Sequence, residues 1–284
     1  MPELPEVETI VRDLNKKLKN KKIVSVKSLD KKVFYLTKID IKNILGKKIK
    51  AVSRRAKMII FDLSDYFLIV HLKMTGQLVY QTQTSLIVGG HPIINQDKKL
   101  PNKFSRVIFK FNDKGTLYFN DVRRFGWIKL MAKNKFIEFK NKLGVEPLSS
   151  GFTLKYFNEF LSHKPKTSIK QALLDQKYIS GIGNIYADES LFRAQIKPFR
   201  KVQTLNTGEI KKLWRAIPEI LKYAIEYRGT SFNDYVDASG ETGNFIKYLK
   251  VYGREGKKCK KCSGVVKKIK LGGRGTHWCD KCQK

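Results

Sequence analysis

The pattern Cys259-Lys-Lys-Cys262, sixteen residues, then Cys279-Asp-Lys-Cys282 constrains the fold of this chain more than any other feature. Cysteines paired at this spacing sit on tight turns, and two such turns supply a tetrahedron of thiolates, the geometry of a structural zinc site. Four thiolates close the coordination sphere. One Zn2+ held this way has no open position for chemistry and serves to fold a segment too small for its own core. All four cysteines fall after residue 258. A secreted disulfide framework would instead spread them along the chain. His277 lies close by, but the tetrahedron is complete without it and it reads as a strand residue. Gly272-Gly273-Arg274-Gly275-Thr276 suits a hairpin turn with Arg274 at its tip, near Lys260, Lys261, Lys267, Lys268 and Lys270. Such a finger suits a phosphate backbone. Taken singly, each of those lysines reads as a solvated surface residue.

Charge extends that reading to the whole chain. Lys and Arg number 58 against 25 Asp and Glu, a net charge of +33 spread along all 284 residues. Such a surface attracts a polyanion, and nucleic acid is the default partner. A membrane surface is the competing polyanion, but no long apolar run or isolated basic amphipathic helix is present. Glu3, Glu6 and Glu8 stand where an export signal would be basic and then apolar, so no signal is read.

The length suggests about two domains. Val7, Ile10, Val11, Leu14 and Leu18 recur at helical spacing over residues 5–18. Strand-like runs follow within 22–29, 49–63 and 67–81, and Asn112-Asp113-Lys114-Gly115 reads as a hairpin turn between 107–111 and 116–120. Residues 84–104, with Gly89-Gly90 and two prolines, read as a long surface loop. After about Lys135 the pattern turns helical, with helices expected over 154–161, 168–176, 182–194 and 207–227. The segment 229–244 has no period and reads as a mobile loop.

Three motifs carry chemistry. Removal of Met1 would leave Pro2 with a free secondary amine, whose reference pKa of about 8 lies well below the lysine value of about 10.4. Such an amine attacks a carbonyl or sugar carbon and ends as an iminium, a strong electron sink. Glu3 and Glu6 lie within one turn and can move protons. The same residues also suit an ordinary helix start, with Pro early and acids in the first turn. Ser180-Gly181-Ile182-Gly183-Asn184 lets backbone N–H groups approach an anion at the start of a helix, with Lys170 on the preceding helix in reach. Packing of a helix–turn–helix explains it nearly as well. His71-Leu72-Lys73-Met74-Thr75-Gly76 and Asp121-Val122-Arg123-Arg124-Phe125-Gly126 present a Met and a Phe beside arginines, a set that could wedge into a base stack. Taken singly, each Met and Phe is an ordinary core residue.

These motifs, with Pro2-Glu3-Leu4-Pro5-Glu6-Val7-Glu8-Thr9, Lys57, Gly-x-Gly-Asn-Ile-Tyr-Ala at 181–187 and the cysteine finger, occur in one order. In that order the chain resembles the bacterial formamidopyrimidine-DNA glycosylases over about residues 2–283. The resemblance implies an α+β chain. Residues 1–135 would form an N-terminal helix plus β-sandwich catalytic domain and 136–150 a linker. Residues 151–250 would form a helix-two-turn-helix domain with a lesion loop at 229–244, and 251–284 the zinc finger. It implies a bifunctional enzyme that excises oxidised purines from double-stranded DNA and cleaves the strand at the abasic site by β,δ-elimination. It would work as a monomer in the bacterial cytoplasm at the nucleoid. By the same likeness Pro2 forms the Schiff base, Glu3 is the acid–base residue and Glu6 supports the helix start and proton transfer. Lys57, on the strand after Arg54-Arg55, contacts the lesion or its phosphate. His71 belongs with the DNA-binding residues. Met74, Arg123 and Phe125 fill the void left by the everted base, and Lys170, Asn184 and Arg274 clamp phosphates. The sequence departs from the family pattern at Lys73, at Val122 and at Phe104-Ser105-Arg106. The sister endonuclease VIII group, which prefers oxidised pyrimidines, is the nearest alternative, and Leu4 and Arg123-Arg124-Phe125 argue against it. A non-catalytic zinc DNA-binding protein would not need Pro2, Glu3 and Lys57 together.

Overall fold

The computed structural model describes residues 1–30, 37–91, 99–230 and 244–284. Two compact units emerge, Met1–Asn141 with Tyr227–Ile246, and Lys142–Glu226 with Lys247–Lys284.

The first unit begins with helix α1 (Leu4–Leu18). Its apolar face, Val7, Ile10, Val11, Leu14 and Leu18, is wholly buried, at about 1.5–3 kcal/mol per side chain. The helix stops at Lys19, followed by Asn20 in the left-handed region at φ 69°. Two antiparallel sheets follow. The first, in the order β1-β7-β8-β5-β6, contains β1 (Ile23–Ser28), β5 (Gly76–Gln81), β6 (Leu86–Gly90), β7 (Ser105–Phe111) and β8 (Thr116–Asp121). The second, in the order β2-β3-β4-β9, contains β2 (Ala51–Arg55), β3 (Met58–Asp62), β4 (Tyr66–His71) and β9 (Trp127–Ala132). One core joins them: Ile59, Phe61 and Leu68 of the second sheet meet Leu78, Phe109 and Phe119 of the first and the buried face of α1. This is the expected sandwich, and the hairpin turn between β7 and β8 falls at Asn112–Gly115 as expected.

The segment 84–104 differs from its reading as a surface loop, because Leu86–Gly90 pairs with β5 as an edge strand. Gly89 is a strand position facing helix α1, and Gly90, at φ 120°, lies against the β5 backbone at Gly76. A Cβ on Gly89 would lie 2.6 Å from the Ile10 side chain, so only glycine lets β6 lie against α1. Residues 92–98 of that segment lie outside the described residues. Two short helices, α2 (Lys38–Ile44) and α3 (Lys133–Asn141), carry no strong sequence period. The second occupies the start of the expected linker.

The second unit holds α4 (Leu154–Ser162), α5 (Ile169–Leu173), α6 (Asn184–Ala194), α7 (Thr207–Glu226) and the finger hairpin of β10 (Val266–Leu271) and β11 (Arg274–Cys279). Helix α5 is shorter than the expected 168–176. Gln176 leaves the helix to hold the following turn, its Nε2 donating to the carbonyl of Ile182 at 2.8 Å and its Oε1 accepting from Gly181 N–H at 2.9 Å. The small finger core consists of Val251, Val266, Cys259, Cys279 and Cys282 packed on Phe192 of α6. Buried Glu189 of α6 accepts the backbone N–H groups of Lys250, Val251 and Tyr252, each at 2.9 Å, and so fixes the entry to the finger. Among the described residues no helix is long and apolar enough to cross a membrane.

Candidate active site and nucleic-acid interface

Glu3 is the N-cap of α1 and Pro5 lies in its first turn, so Pro2 stands ahead of the helix and is not its first residue. Glu3 and Glu6 form a reciprocal capping box. The backbone N–H of Glu3 donates to Glu6 Oε2 at 2.9 Å. The other oxygen, Oε1, accepts the Thr230 N–H at 2.8 Å and its hydroxyl at 3.0 Å. One carboxylate thus ties the helix start to the segment that opens the expected lesion loop, whose residues 231–243 lie outside the described ones. The N-terminal ammonium, carried here by Met1, has its pKa lowered chiefly by burial, with Lys57 acting the same way and Glu3 and Glu6 opposing. The same burial and the same Lys57 would act in the same direction on an amine left on Pro2 after loss of Met1, favouring its neutral, nucleophilic form.

Lys57 is buried at the turn of the β2–β3 hairpin, not on a strand as expected, because Arg55 pairs with Met58 and leaves Ala56-Lys57 as the two turn residues. Ala56 takes φ 55°, a conformation that costs a residue with a Cβ about 1–2 kcal/mol. Arg54 holds that turn: its Nη1 donates to the Ala56 carbonyl at 2.9 Å and its Nε to Glu8 Oε2 of α1 at 3.0 Å. Lys57 also acts on His71, whose pKa burial, Lys73 and Lys57 together push down to about 3. His71 is therefore neutral. Its Nδ1 accepts the Lys73 N–H at 3.0 Å, which leaves the ring proton on Nε2 as a donor.

Gly229 makes the meeting of Glu6 and Thr230 possible. Its φ is 78°, and a Cβ there would lie 2.7 Å from Glu6 Oε1. Gly46, at φ 75° in the same unit, has open space at that position. Gly46→Ala is expected to cost about 1 kcal/mol from backbone strain alone. Gly229→Ala is expected to cost about 2–3 kcal/mol, because strain and overpacking add. Urea denaturation midpoints of the two variants measure the difference, and equal midpoints would show that Glu6 yields freely.

The two loops expected to enter a base stack lie side by side. Met74 and Phe125 are 43% and 52% exposed, large apolar residues left in water. The Arg123 guanidinium lies over the Phe125 ring, 4.6 Å from its centroid.

In the second unit, Gly181 at φ 94° precedes Gly183, the N-cap of α6, so Asn184 is the first helical residue. Asn184 Nδ2 donates to the Gly275 carbonyl in the finger hairpin at 2.9 Å. Arg274 is exposed and opens β11 just past the turn; the tip itself is Gly272-Gly273 and not Arg274 as expected, because Arg274 already pairs with Leu271. Lys170 is a correction. It is only 1% exposed; its ammonium pairs with the Asp188 carboxylate at 2.6 Å and donates to Thr276 Oγ1 at 2.9 Å and the Gly275 carbonyl at 3.1 Å. Its charge is matched by Asp188 and two of its donors by the finger hairpin, so Lys170 anchors the hairpin to α5 and α6 from a buried position and is not presented to a phosphate. Asp188 completes that anchor by accepting the His277 N–H at 2.9 Å, so His277 is the expected strand residue.

The four Sγ atoms lie within 4.8 Å of one another, with Cys259–Cys282 at 3.9 Å and Cys262–Cys279 at 3.5 Å. Tetrahedral zinc with bonds of about 2.3 Å sets sulfurs about 3.8 Å apart, whereas a disulfide needs about 2.05 Å. The N–H groups of Lys261 and Gly264 donate to Cys259 Sγ at 3.4 Å and Cys262 Sγ at 3.3 Å, which favours thiolates. The donor set fits zinc.

Comparison with known proteins agrees along the chain. Residues 1–128 match the formamidopyrimidine-DNA glycosylase N-terminal domain, 143–236 the formamidopyrimidine-DNA glycosylase H2TH domain, and 256–284 the zinc finger found in FPG and IleRS. The formamidopyrimidine-DNA glycosylase of Pelotomaculum thermopropionicum is 42% identical over 100% of this chain and 99% of its own. This chain belongs to the formamidopyrimidine-DNA glycosylase family. The namesake from Prochlorococcus marinus subsp. pastoris is 40% identical, with both chains wholly covered. Among solved structures, the Lactococcus lactis Fpg bound to DNA containing an abasic site is similar at a TM-score of 0.87, with 36% identity and 99% of each chain covered. A variant of that protein with Fapy-dG containing DNA matches at the same TM-score and identity over 100% of each chain.

For a member of the formamidopyrimidine-DNA glycosylase family, the structure adds residues that the sequence reading passed over. Arg54 holds the Lys57 turn, Thr230 holds Glu6, Asp188 holds Lys170, and Asp121 holds the two exposed loops. Asp121 sits inside a recognised motif and could have been singled out there. Nothing in the sequence marks Thr230, which is 224 positions from its partner.

Proposed function

We propose that this chain excises oxidised purines from double-stranded DNA and then cleaves the strand at the abasic site. The observation that carries the reading is the N-terminus itself: Pro2 ahead of a capped helix, buried Glu3 beside it, and Lys57 within electrostatic reach of the amine. With Met1 removed, the Pro2 nitrogen attacks C1′ of the damaged nucleotide and the base leaves with the glycosidic electron pair and a proton. Glu3 donates a proton to O4′ as the C1′–O4′ bond breaks, and the nitrogen becomes an iminium. The iminium acidifies C2′–H. Loss of that proton expels the 3′-phosphate, and a second elimination expels the 5′-phosphate, leaving phosphates at both ends of the gap. Lys57 holds the lesion phosphate and, with Glu3, moves protons. Neutral His71 donates through Nε2.

An enzyme that reacts at C1′ must extrude the nucleotide from the stack, at a cost of a few kcal/mol. Met74, Arg123 and Phe125 offset that cost by filling the void, with Arg123 toward the orphaned base. Asn184 and Arg274 grip backbone phosphates. The net charge of +33 supports a salt-sensitive search along DNA. The bacterial relatives support a cytoplasmic setting, and the chain's positive charge would favour the nucleoid within it.

Borohydride trapping on an 8-oxoguanine:cytosine duplex, followed by mass analysis of the trapped peptide, tests the reading. A cross-link at Pro2 is expected. Trapping only on a thymine glycol duplex would move the substrate to oxidised pyrimidines, and no trapping on either would leave a DNA-binding protein without this chemistry.

A further inference from the structure

The Asp121 side chain is fully buried, and the donors that satisfy its carboxylate come from the two exposed loops. The Thr75 hydroxyl, next to Met74, donates to Oδ1. The Arg123 N–H donates both to that oxygen at 3.2 Å and to Thr75 Oγ1 at 3.0 Å. The Gly126 N–H donates to Oδ2 at 2.7 Å. A buried carboxylate stripped of its donors is costly, so these bonds hold the loops together tightly.

Each loop is also stiff in itself. The Gly76 N–H closes the Met74 turn on the Leu72 carbonyl at 2.9 Å, and a Cβ on Gly76 would lie 2.3 Å from that oxygen. In the other loop Arg124 is held at φ 58°, between Arg123 and Phe125, and its Nε pairs with Asp30 at 2.9 Å. The Asp121 carbonyl accepts Arg106 Nε at 2.8 Å, which fixes the base of the loop from the neighbouring strand β7.

We propose that Thr75 and Asp121 are positioning residues that join the Met74 loop and the Arg123–Phe125 loop into one rigid wedge. The proposal rests on the reading of Met74, Arg123 and Phe125 as the residues that fill the void. A wedge that must hold open a base step works only if it does not fold back when the stack pushes on it. Two exposed loops on separate strand connections would yield one at a time. Bridged through one hydroxyl and one carboxylate, they enter and leave the stack together.

The test combines stopped-flow 2-aminopurine fluorescence, reporting eversion in an 8-oxoguanine duplex, with single-turnover excision. Thr75→Val keeps the shape and removes the hydroxyl, whereas Thr75→Ser keeps the hydroxyl. Thr75→Val is expected to slow eversion and excision at least tenfold, and to slow them more than cleavage of a preformed abasic site. Thr75→Ser is expected to stay within threefold of the parent. A double-mutant cycle reads the coupling directly. The effects of Met74→Ala and Phe125→Ala on eversion are expected to be non-additive by at least fivefold in the parent and additive with Thr75→Val. Thr75→Ala repeats the cycle if the methyl that Val sets against the Asp121 carboxylate disturbs folding. Parent-like eversion in the folded hydroxyl-free variants, equal losses with Ser and Val, or coupling that survives loss of the hydroxyl would each overturn the proposal. If Met74→Ala and Phe125→Ala leave eversion unchanged, the wedge reading itself fails and takes this inference with it. If those two slow eversion but Thr75→Val does not, only the bridge fails.

Discussion

Glu3→Gln is expected to lower excision of 8-oxoguanine by about 10²–10⁴-fold, the range for loss of a general acid or base, while the affinity for a damaged duplex changes only a few-fold. The substitution separates chemistry from folding because Glu3 has one structural duty and one proposed chemical duty. As the N-cap of α1 it takes part in a reciprocal capping box, and a Gln side chain keeps an oxygen that can accept the same N–H. As an acid it must give up a proton to O4′, and an amide cannot. Its backbone N–H, bound to Glu6 Oε2 at 2.9 Å, is untouched. Single-turnover excision and fluorescence anisotropy on the same duplex are the two measurements. Retained turnover would remove Glu3 from the proton path and shift that duty toward Glu6 or Lys57. A parallel loss of binding would mean that the substitution had disturbed the helix start instead.

Cys279→Ser is expected to abolish zinc binding and to weaken lesion-duplex binding by at least about 10²-fold. Cys279 is buried in the finger core and its sulfur lies 3.5 Å from that of Cys262. Apparent zinc-binding free energies of about 10–16 kcal/mol in finger peptides equal or exceed the whole stability of a typical domain. The finger core has few other apolar residues to replace that contribution. Once the hairpin is lost, Arg274 has no fixed position, and the Gly275 carbonyl that receives both Lys170 and Asn184 is withdrawn. Lys170 then keeps only Asp188 among the three acceptors that hold its ammonium, so the damage spreads into α5 and α6. Metal content by plasma mass spectrometry and anisotropy titrations check the result. A zinc-free protein that binds the duplex like the parent would refute the structural role of the metal.

The features legible in the sequence are those encoded by local spacing. The apolar face of α1 recurs with the helical period. The Asn112–Gly115 turn carries its own turn residues, and the cysteine pairs bring their ligands close through short loops. Pro2 and Glu3 were readable because chain position alone makes the amine and its acidic neighbour adjacent. The edge strand β6 was not legible, since Gly89 and Gly90 lower strand propensity and their purpose appears only when Ile10 of α1 lies against Gly89 and the β5 backbone against Gly90. Lys57 was assigned to a strand because a two-residue turn made by Ala56 and Lys57 lacks the usual glycine or asparagine.

By itself, then, the sequence determined the α+β composition and the metal finger and singled out Pro2 and Glu3 as candidate reacting groups, because each depends on residues a few positions apart. The tertiary structure alone decided which charges are spent inside the protein and which remain for DNA. Lys170 carries the same charge as the surface lysines, yet it is consumed by Asp188 and by a hairpin 105 and 106 positions away. The pairing of Thr230 with Glu6, and of Thr75 and Arg123 with Asp121, was likewise decided by packing. A buried carboxylate must find donors wherever the fold brings them, and sequence distance does not record where that is.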